Sequence, residues 1–527
     1  MSALHFLPGT LTLDIIQKSV EQPLKIQLDK SCWSAIKRSS DFIQTAIENN
    51  EVIYGINTGF GLLANTPIST KDLASLQKRI LLSHAAGVGE LLSDEIVRLI
   101  LLLKINALAQ GFSGVRPIII ETLITFFNKG IYPCIPSKGS VGASGDLAPL
   151  SHLCLPLIGE GTVRVQGKII SGKEALALIS QPALELGPKE GLALINGTQV
   201  STAIALYHLL QAQDLLAATI AISALTVDAA AGSDTAFTPA IHIIRNQSGQ
   251  IEIARQLQEY LADSEIRHSH LNCTRVQDPY CLRCIPQVVG ASLDNFKHVQ
   301  NILVREANAV TDNPLIFAEE GKIYSGGNFH AEYVAQAADL LAIALSELGA
   351  LSERRIALLV DPHFNGGLSA FLTPNPGLNS GFMIAHVTAA ALASANKTFA
   401  HPASIDSLPT SANQEDHVSM ATFAAYRLKD IIDNVSHIFS IELLAACQGI
   451  DLRHPLKTSV KLNEIHALVR AQILFWDEDR YFAEDINKAK PLVFQIGKNS
   501  RECTFGGTTT FPKMELSEEN AADTFIL

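Results

Sequence analysis

Residues 200–229 read VSTAIALYHLLQAQDLLAATIAISALTVDA. Apolar side chains recur here at i, i+3, i+4 and i+7, and many are Ala or Leu. That spacing predicts one long helix with a wide buried surface. The same pattern returns at 71–83, 93–110, 287–309, 331–358, 380–398 and 416–448, and several of these stretches run well past the ~12 residues of an average helix. Small alanines let long helices approach closely. The predicted fold is therefore mainly α: a long central helical bundle preceded by a mixed, loop-rich N-terminal part. The first 30 residues are expected to form short strands and turns. Gln166-Gly167, between Thr162–Val165 and Lys168–Ile170, predicts a small β-hairpin. Soft domain lines fall at 1–199, 200–479 and 480–527, with Met514–Leu527 expected as a weakly ordered tail.

Composition narrows the function. Charged residues make up 17% of the 527-residue chain, against about 25% in ordinary domains. Lys plus Arg is 40 and Asp plus Glu is 52, a net charge of −12. Low charge with 47% hydrophobic residues excludes disorder. The acidic balance, with no long Lys/Arg run, argues against nucleic acid as a partner. Mean hydropathy is +0.21, yet the uncharged run Leu215–Val227 is 13 residues between Asp214 and Asp228, shorter than the ~20 of a membrane span. No membrane partner is expected, and the apolar surplus points to burial inside the protein and between subunits. The start lacks a secretory pattern. Eight irregularly spaced cysteines are not a disulfide framework. The expected location is the cytoplasm.

Two motifs are weak. Gly59-Phe-Gly-Leu-Leu-Ala64 matches a dinucleotide loop, but no acidic residue follows at the required distance. His268, His270, Cys273, Cys281 and Cys284 contain one CxxC pair where a zinc site usually shows two. Neither a nucleotide nor a metal is expected.

Gly139-Ser-Val-Gly-Ala-Ser-Gly-Asp-Leu-Ala-Pro-Leu-Ser-His152 is more informative. In a tightly bent Ala143-Ser144-Gly145, the amide nitrogen of Gly145 can reach the carbonyl carbon of Ala143, because Gly145 carries no Cβ. Loss of one water closes an imidazolone ring. Loss of a second, from Ser144, leaves an exocyclic methylene and a strong electrophile. Taken alone, the tripeptide reads far more readily as a helix start with Ser144 as its cap.

This loop resembles that of the aromatic amino acid ammonia-lyases, whose electrophile is 4-methylidene-imidazol-5-one (MIO). Other stretches resemble the same family in the same order. They are Tyr54-Gly-Ile-Asn-Thr-Gly-Phe-Gly61, Asn196-Gly-Thr198, Val276-Gln-Asp-Pro-Tyr-Cys-Leu-Arg-Cys284, Thr311-Asp-Asn-Pro314, Ser325-Gly-Gly-Asn-Phe-His330 and the run from His401 to Met420. The resemblance implies an ammonia-lyase/fumarase-like architecture with an N-terminal MIO domain. It also implies a homotetramer whose sites are built from several subunits.

Ser83-His84 and Glu415 resemble the members of the family that act on histidine. An imidazole offers one donor and one acceptor, which His84 and Glu415 can meet. A phenyl ring would leave them unpaired. The implied reaction is non-oxidative deamination of L-histidine to urocanate and ammonia. A tyrosine or phenylalanine lyase, or an aminomutase, is the alternative.

The resemblance further implies the roles. Ser144 supplies the methylene and Tyr54 takes the β-proton. Asn196 and Tyr280 position the electrophile and the amine. Arg283 and Asn313 hold the carboxylate, Gln277 contacts the ring region, and Phe329 packs beside the MIO.

Overall fold

The computed structural model describes residues 3–49, 53–59, 66, 68–270 and 276–506. Its axis is the helix Gln199–Ala229, in which every side chain except Tyr207 and Gln211 is buried. A helix apolar on all sides has no solvent face and must be surrounded. Around it pack Ile285–Ala307, Glu332–Val360, Leu428–Leu452 and Phe482–Phe505. The last of these comes so close that a Cβ at Gly497 would lie 2.0 Å from the Asp214 carbonyl oxygen. The helix Met383–Phe399 lies outside this ring, against Glu332–Val360 and Leu428–Leu452.

The predicted helices are present with boundaries close to those expected, with one instructive exception. The stretch expected from 416 starts as a helix only at Ala421, and Met420 is left-handed at φ 57°. Residues 410–420 instead form a loop that serves the site. Near the N-terminus, strands Leu4–Phe6 and Ile26–Leu28 pair in parallel, joined by the helix Leu13–Glu21. The Thr12 hydroxyl caps that helix by accepting from the Ile15 amide at 3.3 Å. The hairpin pairs Thr162–Val165 with Lys168–Ser171, and its turn residues Gln166 and Gly167 both have positive φ, as a two-residue turn requires. The tail from 514 lies outside the described residues.

Among the described residues, three helical stretches, Gln199–Ala229, Glu332–Val360 and Ala421–Leu452, are long and apolar enough to cross a membrane by length and composition. The length of a charge-free run alone does not reveal this. Of their most apolar windows, 94%, 67% and 83% are buried inside the protein itself.

Polar side chains fix the register of the bundle. Arg355 and Glu442, both fully buried, pair through two contacts of 2.5 and 2.8 Å. Glu442 also accepts from Thr226 Oγ1 at 2.7 Å and Ser352 Oγ at 2.5 Å. Arg355→Met strands a buried carboxylate and is expected to cost about 3–5 kcal/mol. Adding Glu442→Leu should recover most of that loss, and comparison of denaturation midpoints checks both outcomes.

Candidate active site

The loop that carries Ala143-Ser144-Gly145 is anchored on every side. Asp146, wholly buried, accepts from Ser140 Oγ at 2.9 Å, from Ser201 N at 2.7 Å and Oγ at 2.9 Å, and from Thr422 Oγ1 at 2.6 Å. One carboxylate thus ties the loop to the first turns of two bundle helices. The Val141 carbonyl accepts from the Met420 amide at 2.8 Å, and the Gly142 carbonyl accepts from Ser419 Oγ at 2.9 Å. Gly145 has φ +76° and pairs with Gly197, and the Asp146 amide donates to the Gly197 carbonyl at 2.8 Å. A Cβ at Gly145 would stand 2.2 Å from that carbonyl oxygen. Only glycine fits here, because the backbone is left-handed and Gly197 is pressed against it. The helix Leu147–Cys154 starts directly after the loop, so its positive end faces the bend.

In front of the loop lies a cavity of about 1060 Å³. Of the residues expected at the site, Tyr54, His84, Ala143, Ser144, Asn196, Asn313, Phe329 and Glu415 line it. The Ser144 hydroxyl donates to Glu415 Oε1 at 2.5 Å, and Thr410 Oγ1 donates to Oε2 at 2.8 Å. Glu415 is held there by a loop whose Ser411, Ala412 and Asn413 all have positive φ, a costly backbone of the kind kept at working sites. His84 shares its Nδ1 with Ser83 Oγ at 3.0 Å. Burial lowers its pKa, and the Ile80 carbonyl and Glu415 oppose that shift. With Nδ1 engaged by Ser83, a neutral His84 keeps Nε2 for a ligand, as donor or acceptor according to its tautomer. The Asn313 amide is fixed between Ser325 Oγ at 3.1 Å and the Gly326 amide at 2.7 Å. Asn196 is buried and its Oδ1 has no partner.

Gln277, Tyr280 and Arg283 are not brought to this cavity. Tyr280 is 69% exposed, and Arg283 lies 4.5 Å over its ring with a buried Nε that lacks a partner. Sequence reasoning passed over other lining residues, including Arg79, Asp416 and His417. His417 and His330 stack with centroids 5.8 Å apart, and the available signal was their position beside Glu415 and Phe329.

Most of the Gly59–Ala64 motif lies outside the described residues. Among the described residues, His268, His270, Cys281 and Cys284 do not gather as a ligand set, and Cys273 lies outside them. The trio whose ligand atoms do come within 4.8 Å of one another is His330, Glu332 and His417.

Comparison with known proteins matches the chain to a family. The family model described as aromatic amino acid lyase matches residues 11–471. A histidine ammonia-lyase of Pseudoalteromonas atlantica is 56% identical over 486 residues, covering 92% of this chain and 95% of that protein. The chain belongs to the aromatic amino acid lyase family. Two solved structures show how far the lyase fold reaches. Histidine ammonia-lyase from Trypanosoma cruzi superposes with a TM-score of 0.87 at 39% identity, over 98% of this chain and 100% of that one. Tyrosine aminomutase from Streptomyces globisporus gives 0.89 at 33%, over 95% and 98%. Within the aromatic amino acid lyases the fold therefore does not choose the substrate, and the side chains lining the cavity must.

Proposed function

We propose that the protein eliminates ammonia from L-histidine to give urocanate, using an MIO electrophile made from Ala143, Ser144 and Gly145. The observation that carries this reading is Glu415 at 2.5 Å from Ser144 Oγ, with His84 lining the same cavity. An acceptor and a ring-pairing imidazole beside the electrophile suit a substrate with an imidazole of its own. The residues also fit the electrophile. Gly145 has no room for a side chain, and the buried Asn196 Oδ1 is left without a partner beside the loop. Bound in the mature chain, MIO supplies an electrophilic carbon that turns the substrate amine into a better leaving group.

The chain's own groups do the rest. Glu415 and His84 hold the imidazole. Tyr54 takes the Cβ proton as the Cα–N bond breaks and the Cα=Cβ bond forms, so ammonia and urocanate account for every atom of histidine. Asn313 helps hold the carboxylate, and Phe329 shields the site from water.

Arg283, Tyr280 and Gln277 enter as contributions from other subunits of a homotetramer, placed in the cytoplasm. Supporting this are their absence from their own chain's cavity and the apolar side chains left exposed on the outer helices, among them Ile343, Ile384, Val387 and Phe423. Subunit mixing provides a direct check. Tyr54→Phe and Arg283→Met proteins should each be nearly inactive, and co-assembled hybrids should regain activity because some sites draw both intact residues. Hybrids no better than the parents would contradict the shared site. The substrate is tested by offering histidine, tyrosine and phenylalanine: urocanate alone is expected, and a coumarate, cinnamate or β-amino acid product in its place would overturn the reading.

A further inference from the structure

Lys104 sits in the C-terminal half of the helix Asp94–Leu108, which is buried at every position from Ile96 onward. Its side chain is 1% exposed. A cation in such a place normally has a carboxylate partner, because an unpaired buried charge is among the costliest groups in a protein. Among the described residues, none lies within salt-bridge distance of Lys104. The nearby carboxylates are committed elsewhere. Asp312 pairs with buried Lys189 at 2.5 Å, and Asp146 is taken up by Ser140, Ser201 and Thr422. The Lys104 ammonium donates instead to the backbone carbonyl of Asn196 at 2.7 Å, with Gln199 Oε1 farther away at 3.5 Å. The other buried cation on this helix, Arg98, serves the far end, where it donates to carbonyls of Ser19 and Val20.

The carbonyl that Lys104 holds has a special position. It ends the helix Glu190–Ile195 and begins the peptide that leads to Gly197. Asn196 lines the cavity, and Gly197 is the backbone on which Gly145 rests. We propose that Lys104 is a positioning residue for the electrophile loop: from behind the cavity its ammonium fixes the Asn196 carbonyl, and through it both the Asn196 amide and the Gly197 seat of Gly145. This rests on the reading that residues 143–145 cyclise. A charged donor polarises the peptide it binds and resists rotation of that peptide more strongly than a neutral donor. Burial pushes the ammonium down to about 8, Lys189 adds to that effect, and Asp312, Asp146 and Cys154 oppose it. An apolar side chain would be the cheaper occupant of this helix, and the cation is retained where its one close contact is the peptide under the site.

The test uses the full chain as Lys104→Met, Lys104→Gln and Lys104→Arg. Assembly and melting are measured first, then the fraction of chains lacking two waters by intact mass, then kcat and KM for histidine per matured chain. The uncharged variants are expected to assemble and to mature incompletely. Per matured chain their kcat should fall about 100-fold while KM stays within about threefold. Lys104→Arg should bring kcat back to within about tenfold of the parent. Full maturation of Lys104→Met or Lys104→Gln with kcat within threefold would overturn the proposal. So would failure of both uncharged variants to fold while Lys104→Arg folds, since Lys104 would then support the fold rather than the site. A parent protein that shows no two-water deficit would instead overturn the electrophile itself.

Discussion

Ser144→Ala is expected to lower urocanate formation by roughly 10⁴-fold or more, a barrier increase of about 5 kcal/mol. The reasoning is chemical. The methylene of the electrophile must come from a side chain that can lose a hydroxyl, and alanine has none. Little else changes. Asp146 still anchors the loop through Ser140, Ser201 and Thr422, and Gly145 still rests on Gly197. Glu415 loses its 2.5 Å contact with the hydroxyl and keeps Thr410. The variant should therefore fold and assemble like the parent while its chain keeps at least the water that Ser144 would have shed. Activity within tenfold of the parent would show that the hydroxyl of Ser144 is not the source of the electrophile.

Glu415→Gln is expected to have the second-largest effect, about 10²-fold or more on histidine per matured chain. Glutamine fills the same space and can still accept from Thr410. What it loses is the charge that strengthens a hydrogen bond to the imidazole, and it presents an NH₂ where a lone pair was used. A site built to pair a ring N–H discriminates strongly when that pairing fails. The loss should be smaller for phenylalanine than for histidine, so the preference between the two narrows. Because Ser144 contacts Glu415, the matured fraction has to be measured alongside the rate. An unchanged histidine rate would refute the ring-binding role.

The bundle was legible because its helices are long and their apolar residues recur with helical spacing. Burial of nearly the whole of Gln199–Ala229 follows from a sequence with hardly a charged side chain. The loop at Ala143-Ser144-Gly145 stood out in the sequence because that tripeptide has a chemistry of its own, and the structure adds a reason for Gly145, a contact with Gly197 that no local pattern shows. Two features were hidden for physical reasons. Helical spacing runs through residues 416–420, but Glu415 must face Ser144, and the chain breaks into a left-handed loop to place it there. Lys104 gives no local signal, because its partner is a backbone carbonyl 92 residues away. Arg283 and Tyr280 show a further limit. Their motif is plain in the sequence, yet they do not line the cavity of their own chain, and only under the proposed homotetramer does assembly supply them.

The central claim is that this chain makes its own electrophile from Ala143-Ser144-Gly145 and uses it on histidine. Intact mass of an active preparation tests it most directly. The chain should weigh two waters less than its sequence, with the deficit confined to a peptide containing residues 143–145. A preparation that forms urocanate while its chain carries the full sequence mass would contradict it.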